Sequence, residues 1–427
     1  MAKISGSPDE GGMSATMAFF IGFAAVSLFG VTAAKIKEVM SLSPLLLGVL
    51  ISIPALSGSL LRIPFAAWTD TTGGRKPFLA LLILSIIGML GLYFVISQFY
   101  PDRLTSQFYP ILLLLGVFCG CGIATFSVGI GQVSYWFSQC KQGTVLGLYA
   151  GLGNLAPGMF ALILPLTIKT LGLSQTYLAW LIFLCIGTVI YWLFGRNAWY
   201  FQLLEQGLNP DEAKKEAQVR YHQEIFPKGN AQQSLKVSAQ NWKTWALFGI
   251  YFTTFGGFIA LTAWFPTYWS SFFKMAIVEA GMLTALYSIL ASLMRVIGGQ
   301  IADIYGGERT LILSLCLLMA GGAVMFAADI FLTAIIGCVL LALGMGISNA
   351  AVFKLVPQEI PEAVGGAAGW VGGLGAFGGF VIPPFMGMMV NVLGETGYRK
   401  GFGIFAALAI LSLILSLILK MNHHAQR

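Results

Sequence analysis

Long apolar stretches follow one another along nearly the whole chain, separated by short polar breaks. Of the 427 residues, 57% are hydrophobic and only 10% charged, with a mean hydropathy of +0.82. An ordinary soluble domain carries about 25% charged residues. Stretches this apolar belong in a bilayer, where every backbone polar group must be satisfied inside the segment, so only helices and closed barrels can cross. They show no period-two alternation, which argues against barrel strands. They are long enough to span a roughly 30 Å hydrocarbon layer as helices. Twelve spans are expected, near residues 13–34, 43–68, 77–98, 108–138, 142–170, 175–196, 242–271, 278–303, 309–328, 330–353, 362–391 and 398–420.

One long polar stretch, from about Arg196 to Lys243, divides these spans into two sets of six. Within it, Asn209-Pro210-Asp211-Glu212 reads as a helix start: an N-cap, a proline at the first position and acidic residues in the first turn. The expected organisation is a six-helix bundle over 1–196, a linker over 197–241 and a second six-helix bundle over 242–427. The halves repeat one another. Gly120-Cys121-Gly122-Ile123 matches Gly344-Met345-Gly346-Ile347, and Tyr149–Asn154 matches Val371–Ala376. A parallel repeat of six spans is the mark of a two-bundle transporter with a central site.

The same repeat carries two arginines inside apolar spans. Arg62 and Arg295 are each followed eight positions later by an aspartate, Asp70 and Asp303, and three positions after that by Gly-Gly, with basic Arg75 and Arg309 close behind. Eight helical residues rise roughly 12 Å, so aspartates at a membrane surface place both arginines near mid-depth. A charge there is costly and marks a functional site by default. The acidic residues fix the sign of its ligand. All 17 lie in loops, tails or the last turns of spans, and none can neutralise the arginines. Two guanidinium groups buried without a carboxylate are strongly destabilising unless an anion visits, and their planar forks suit flat oxyanions. The competing reading is structural: arginines that snorkel or bond backbone carbonyls.

Other residues are open to two readings. Lys354, at the end of the tenth span, either faces the cavity or is an interfacial lysine. Asp70, Arg75, Asp303 and Arg309 are expected to act as a conformational gate, or else only to close tight turns. Tyr251 and Phe255 lie four apart on one helix face and would suit a slot that sandwiches a planar ion, although aromatics more often simply pack. The clustered glycines among the 52 suit close helix contacts. The three histidines lie in the linker and tail, so a carboxylate or histidine proton relay is not expected. Six cysteines, at 119, 121, 140, 185, 316 and 338, show neither disulfide nor zinc spacing. No metal, cofactor or nucleic-acid partner is expected. Basic residues divide 14 to 7 between the two predicted faces, which favours both termini in the cytoplasm of a multi-pass inner-membrane protein.

Several segments together resemble the nitrate/nitrite porter family of the major facilitator superfamily. They are Leu61-Arg62-Ile63-Pro64, Gly147–Asn154, Arg295 with Gly298-Gly299, and Gly375-Ala376-Phe377-Gly378-Gly379-Phe380-Val381-Ile382-Pro383. The resemblance implies an all-α fold of twelve transmembrane helices in two six-helix bundles. It implies that Arg62 and Arg295 grip the anion from opposite bundles, that Asn154, Tyr251, Phe255 and Phe126 contact it, and that Gly369 approaches it. Ala150 stands where a glycine is usual, Tyr149 where asparagine is common, and Lys354 where some relatives carry glutamine. The expected function is secondary transport of nitrate and/or nitrite by alternating access, as nitrate/nitrite antiport or proton-coupled symport, by a monomer. An exchanger of organic or phosphate anions, and an anion receptor without transport, are the alternatives. No nucleophile–base or metal constellation suggests an enzyme.

Overall fold

The computed structural model describes residues 4–138, 141–227 and 231–425; Cys140 lies outside them. The described residues are almost wholly helical. Among them eleven helices are long and apolar enough to cross a membrane: α1 Pro8–Met40, α2 Pro44–Thr72, α3 Arg75–Phe99, α4 Ser106–Trp136, Thr144–Phe194, α7 Trp242–Ser271, α8 Ile277–Tyr305, α9 Gly307–Phe326, α10 Phe331–Glu359, α11 Val364–Lys400 and α12 Gly403–Asn422. The fifth counts twice. At 51 residues it would run for about 75 Å, more than two hydrocarbon layers. It breaks at Gly172, where φ is 82° and ψ 170°. Its two limbs are α5 and α6, completing the twelve spans expected.

Where the helices depart from regularity, they do so at similar depth. A 3-10 turn covers Ala24–Ser27 of α1 and another Cys121–Ala124 of α4. Helix α2 breaks at Leu61, immediately before Arg62. Helix α7 widens into a π-turn over Phe252–Gly256, and α11 breaks at Ala376 and Phe377. Irregular backbone within a membrane is tolerated where it is enclosed by protein or lines a cavity, and π-turns frequently sit at functional sites.

Three shorter helices fill the polar stretch: Trp199–Glu205, Pro210–Tyr221 and Ala231–Gln240. The second begins as the sequence indicates, with the Asn209 side chain accepting from the Glu212 amide at 2.9 Å. The first packs on the end of α4, Trp199 against Trp136 and Phe201 against Tyr135. The third packs on α11, where the Trp370 indole donates to the Leu235 carbonyl at 2.9 Å and the Gly366 amide to Ser234 Oγ at 3.0 Å. The polar stretch is thus fastened partly to one bundle and partly to the other.

At the end away from these helices the bundles touch closely. A Cβ at Gly48 would meet Pro383 and Pro384, and one at Gly387 would meet Pro44, so α2 and α11 cross backbone to backbone. Helices α5 and α8 do the same at Gly158 and Gly281, and α1 and α7 at Gly30. At the linker end a cavity of about 700 Å³ separates the bundles.

Candidate anion-binding site

The helix irregularities converge on the two arginines. Arg62 is 0% exposed and Arg295 8%. Between them stand Phe126 and Phe255, whose ring centroids are 5.9 Å apart. The Arg62 guanidinium carbon lies 4.8 Å from the Phe126 ring and 5.1 Å from that of Phe255; for Arg295 the distances are 5.5 Å and 5.2 Å. Both charges therefore face the same two aromatic rings, which offset part of the cost of burial by cation–π attraction. The π-turn aligns Tyr251 with Phe255, stacked at 4.9 Å and 12°.

Arg62 is anchored by two carbonyls. Its Nε donates to Gly58 O at 3.1 Å and one terminal nitrogen to Gly372 O, on the opposite bundle, at 2.9 Å. Arg295 donates to the Tyr251 hydroxyl at 3.3 Å. One terminal nitrogen of each arginine, Arg62 Nη2 and Arg295 Nη1, is buried with no partner among the described residues. Among those residues no carboxylate forms an ion pair with either arginine. Arg62 meets the structural reading in part, through its two carbonyl bonds, and one fork nitrogen of each arginine has no partner among the described residues.

Asn154 is 2% exposed with its side-chain oxygen unpartnered among the described residues. Its carbonyl accepts from Ser292 Oγ at 2.9 Å, one turn before Arg295, which ties α5 to α8 beside the slot. Ala150 is buried next to Tyr149, whose hydroxyl donates to the carbonyls of Thr125 and Phe126 and holds the start of the Phe126 turn. No described contact joins Ala150 itself to the arginines. Gly369 lines the linker-end cavity, and a Cβ there would meet Leu235 at 3.4 Å. The glycine that reaches Arg62 is Gly372, one turn further on.

The placement of Lys354 differs from a site role. Its ammonium lies 2.6 Å from Asp303 Oδ1 and 2.7 Å from the Ala302 carbonyl. Successive helical residues point about 100° apart, and it is the preceding residue, Phe353, that turns to the slot. The Phe353 ring is 5.9 Å from the Arg295 guanidinium and edge-on to Tyr251 at 5.0 Å. Together with Phe126 and Gly372, it forms the slot side of the linker-end cavity. Phe23, stacked on Phe255 at 6.3 Å, closes the other side. Neither phenylalanine stands out in the sequence from 30 others; only proximity singles them out.

The gate residues bond within their own bundles. Asp70 accepts from the Tyr135 hydroxyl at 2.6 Å, Arg75 donates to the Trp192 carbonyl at 2.7 Å, and Asp303 pairs with Lys354. For Arg309 the structure records no such bond. Gly73 and Gly306, equivalent in the repeat, both have positive φ, 75° and 87°. None of these bonds crosses between the bundles in this arrangement, in which the linker end stands apart.

Two bundles closed at one end, parted at the other and enclosing a doubly cationic slot define a multi-pass membrane carrier with a central site. The family model of the Major Facilitator Superfamily matches residues 15–381 and 247–427. A probable nitrate/nitrite antiporter NarK1 of Thermus thermophilus is 30% identical over 397 residues, covering 86% of this chain and 82% of that one. The chain belongs to the major facilitator superfamily, within its nitrate/nitrite porters. A probable nitrate transporter NarT of Staphylococcus epidermidis is 28% identical over 400 residues, 93% of this chain and 94% of that one. Among solved structures, the xylose transporter XylE from E. coli superposes with a TM-score of 0.72 at 15% identity, over 96% of this chain and 98% of that one. The human organic anion transporter MFSD10 superposes with a TM-score of 0.65 at 13% identity, over 96% and 100%. The protein is a transporter rather than an enzyme.

Proposed function

We propose that the chain carries nitrate and/or nitrite across the plasma membrane by alternating access, with 1–196 and 242–427 as the rocking bundles and 197–241 as a cytoplasmic linker. The observation that carries this reading is the pair of buried guanidinium nitrogens without partners, one from each bundle. An unsatisfied buried donor costs about 1–3 kcal/mol, and more when charged. A planar oxyanion bound against the Phe126 and Phe255 rings would accept from both and pull the bundles together. Because it binds best when both arginines reach it, it lowers the energy of the closed state, as a ligand-driven shift requires. Tyr251, whose hydroxyl accepts from Arg295, would donate to it, and Asn154 would do so through its side-chain nitrogen, not its oxygen. The closely spaced rings and paired arginines suit a small flat ion.

The same charges favour exchange. Without an anion the two arginines repel each other as the bundles close, so the empty carrier returns slowly. Lys354 is paired to Asp303 and turned from the slot, which weighs against it as a proton carrier there. Both termini on the cytoplasmic side and a monomeric carrier complete the reading. The test is nitrate uptake into proteoliposomes loaded with nitrite or left empty, each with and without an inward proton gradient. Uptake that requires internal nitrite and ignores the gradient is the expected result. Gradient-driven uptake into empty vesicles would replace exchange by symport. Absence of nitrate uptake in all four conditions would overturn the substrate.

A further inference from the structure

A second cavity, of about 650 Å³, lies at the end away from the linker, its polar wall formed by Lys35, Lys37, Glu38, Thr267, Ser270 and Ser271. Lys35 is occupied by Glu38 at 3.5 Å. Lys37 forms no ion pair among the described residues, so the cavity holds one uncompensated positive charge. Thr267 gives an independent sign. It is 4% exposed, and its hydroxyl has no partner among the described residues. A helical threonine or serine ordinarily bonds the carbonyl four residues back. On the same helix Thr262 bonds Phe258 O and Ser270 bonds Pro266 O, each at 2.8 Å. Thr267 does not, and it faces the cavity. Leu47 and Ile277 bring the first turns of α2 and α8 to the same wall, adding the partial positive charge of two helix starts.

The cavity is separate from the arginine slot by two independent measures. Thr267 is twelve residues beyond Phe255 on α7, and Lys37 fourteen beyond Phe23 on α1, where Phe23 stacks on Phe255. At 1.5 Å per residue both give roughly 20 Å. Buried aromatics stand between, with Phe265 edge-on to Tyr287 at 4.8 Å and Phe258 stacked on Tyr287 at 6.2 Å.

We propose that this cavity is an anteroom site for a small inorganic oxyanion, in which Lys37 supplies the charge and the Thr267 hydroxyl donates a hydrogen bond. It rests on the transport reading above and extends it. The anteroom holds the ion while the bundles are closed at this end, and raises its local concentration at the point where they next part.

The test uses the full-length protein carrying Ser271→Cys, labelled with an anionic thiol reagent and read by mass spectrometry at that position. Added nitrate is expected to slow labelling several-fold. The slowing should persist with Arg62→Ala, disappear with Lys37→Gln and return with Lys37→Arg. An equal concentration of chloride should slow it less. No slowing by nitrate, slowing that survives Lys37→Gln, or failure of Lys37→Arg to restore it would overturn the site. Slowing that vanishes with Arg62→Ala would also overturn it, because the effect would then report bundle motion set off from the slot. Slowing that needs Lys37 in a protein that moves no nitrate into proteoliposomes would remove the transport reading and leave the anteroom standing.

Discussion

At the scale of single residues, what distinguishes Arg62 is that its three nitrogens have three different fates. One holds its own helix at Gly58, one reaches across to Gly372, and one has no partner among the described residues. Lysine has the charge without the fork and cannot fill all three positions. Arg62→Lys should lose the equivalent of a charged hydrogen bond or two, about 1.5–3 kcal/mol, or roughly 10- to 100-fold in nitrate uptake efficiency. Initial-rate uptake at limiting nitrate measures this, and wild-type efficiency would exclude the two-arginine clamp. Lys354 is the contrasting case. Its partner is Asp303, so Lys354→Met should leave the KM for nitrate within about twofold, any effect falling on turnover. A lysine that touched the anion would instead raise KM by the roughly tenfold or more that a lost charged bond costs.

At the scale of elements, the loops that end α2 and α8 show how the repeat is built and where its copies diverge. Gly73 and Gly306 hold φ of 75° and 87° with ψ of 171° and 148°, a region nearly restricted to glycine. A Cβ at Gly306 would meet nothing within 4 Å, whereas one at Gly73 would collide with the Asn197 side chain. That side chain accepts from the Arg75 amide at 2.9 Å and donates to the Thr72 carbonyl at 3.1 Å. Gly306→Ala should therefore cost only backbone strain, about 1–3 kcal/mol. Gly73→Ala should cost that and the Asn197 bridge as well. Thermal unfolding midpoints in detergent should fall in that order, and equal falls would mean the bridge contributes nothing. The π-turn of α7 belongs to this scale too: it sets the ring of Phe255 parallel to Tyr251 and opposite Phe126.

At the scale of the whole molecule, closure at the linker-distal end depends on glycines that let α2 and α11 meet by their backbones. Gly387 lies against Pro44, and Gly48 against Pro383. A bulky side chain there forces the helices apart, because interiors at native packing density have no room to absorb it. Gly387→Leu should leave a folded protein in which that end cannot shut. Nitrate uptake should be lost, and a cysteine at Ser271 should label faster than in the parent. Retained uptake with unchanged labelling would show that this crossing is not part of the cycle.

The sequence by itself determined the number and order of spans, the polar stretch, the Asn209 cap and the two buried arginines. Each follows from local chemistry: apolar length, polar composition, a capping pattern, and a charge with no carboxylate at its depth. The repeat also makes α2 the counterpart of α8. What only the tertiary structure decided depends on groups far apart in the chain meeting in space. The Gly372 carbonyl lies 310 positions from Arg62, and backbone acceptors leave no trace in side-chain pattern. Phe23 and Phe353 look like any membrane phenylalanine until they close the slot. Lys354 shows no partner in its own span, because Asp303, which it meets, lies on another helix. The residue-level charge was legible because burying it is costly everywhere; its partners were not, because helix packing chooses them.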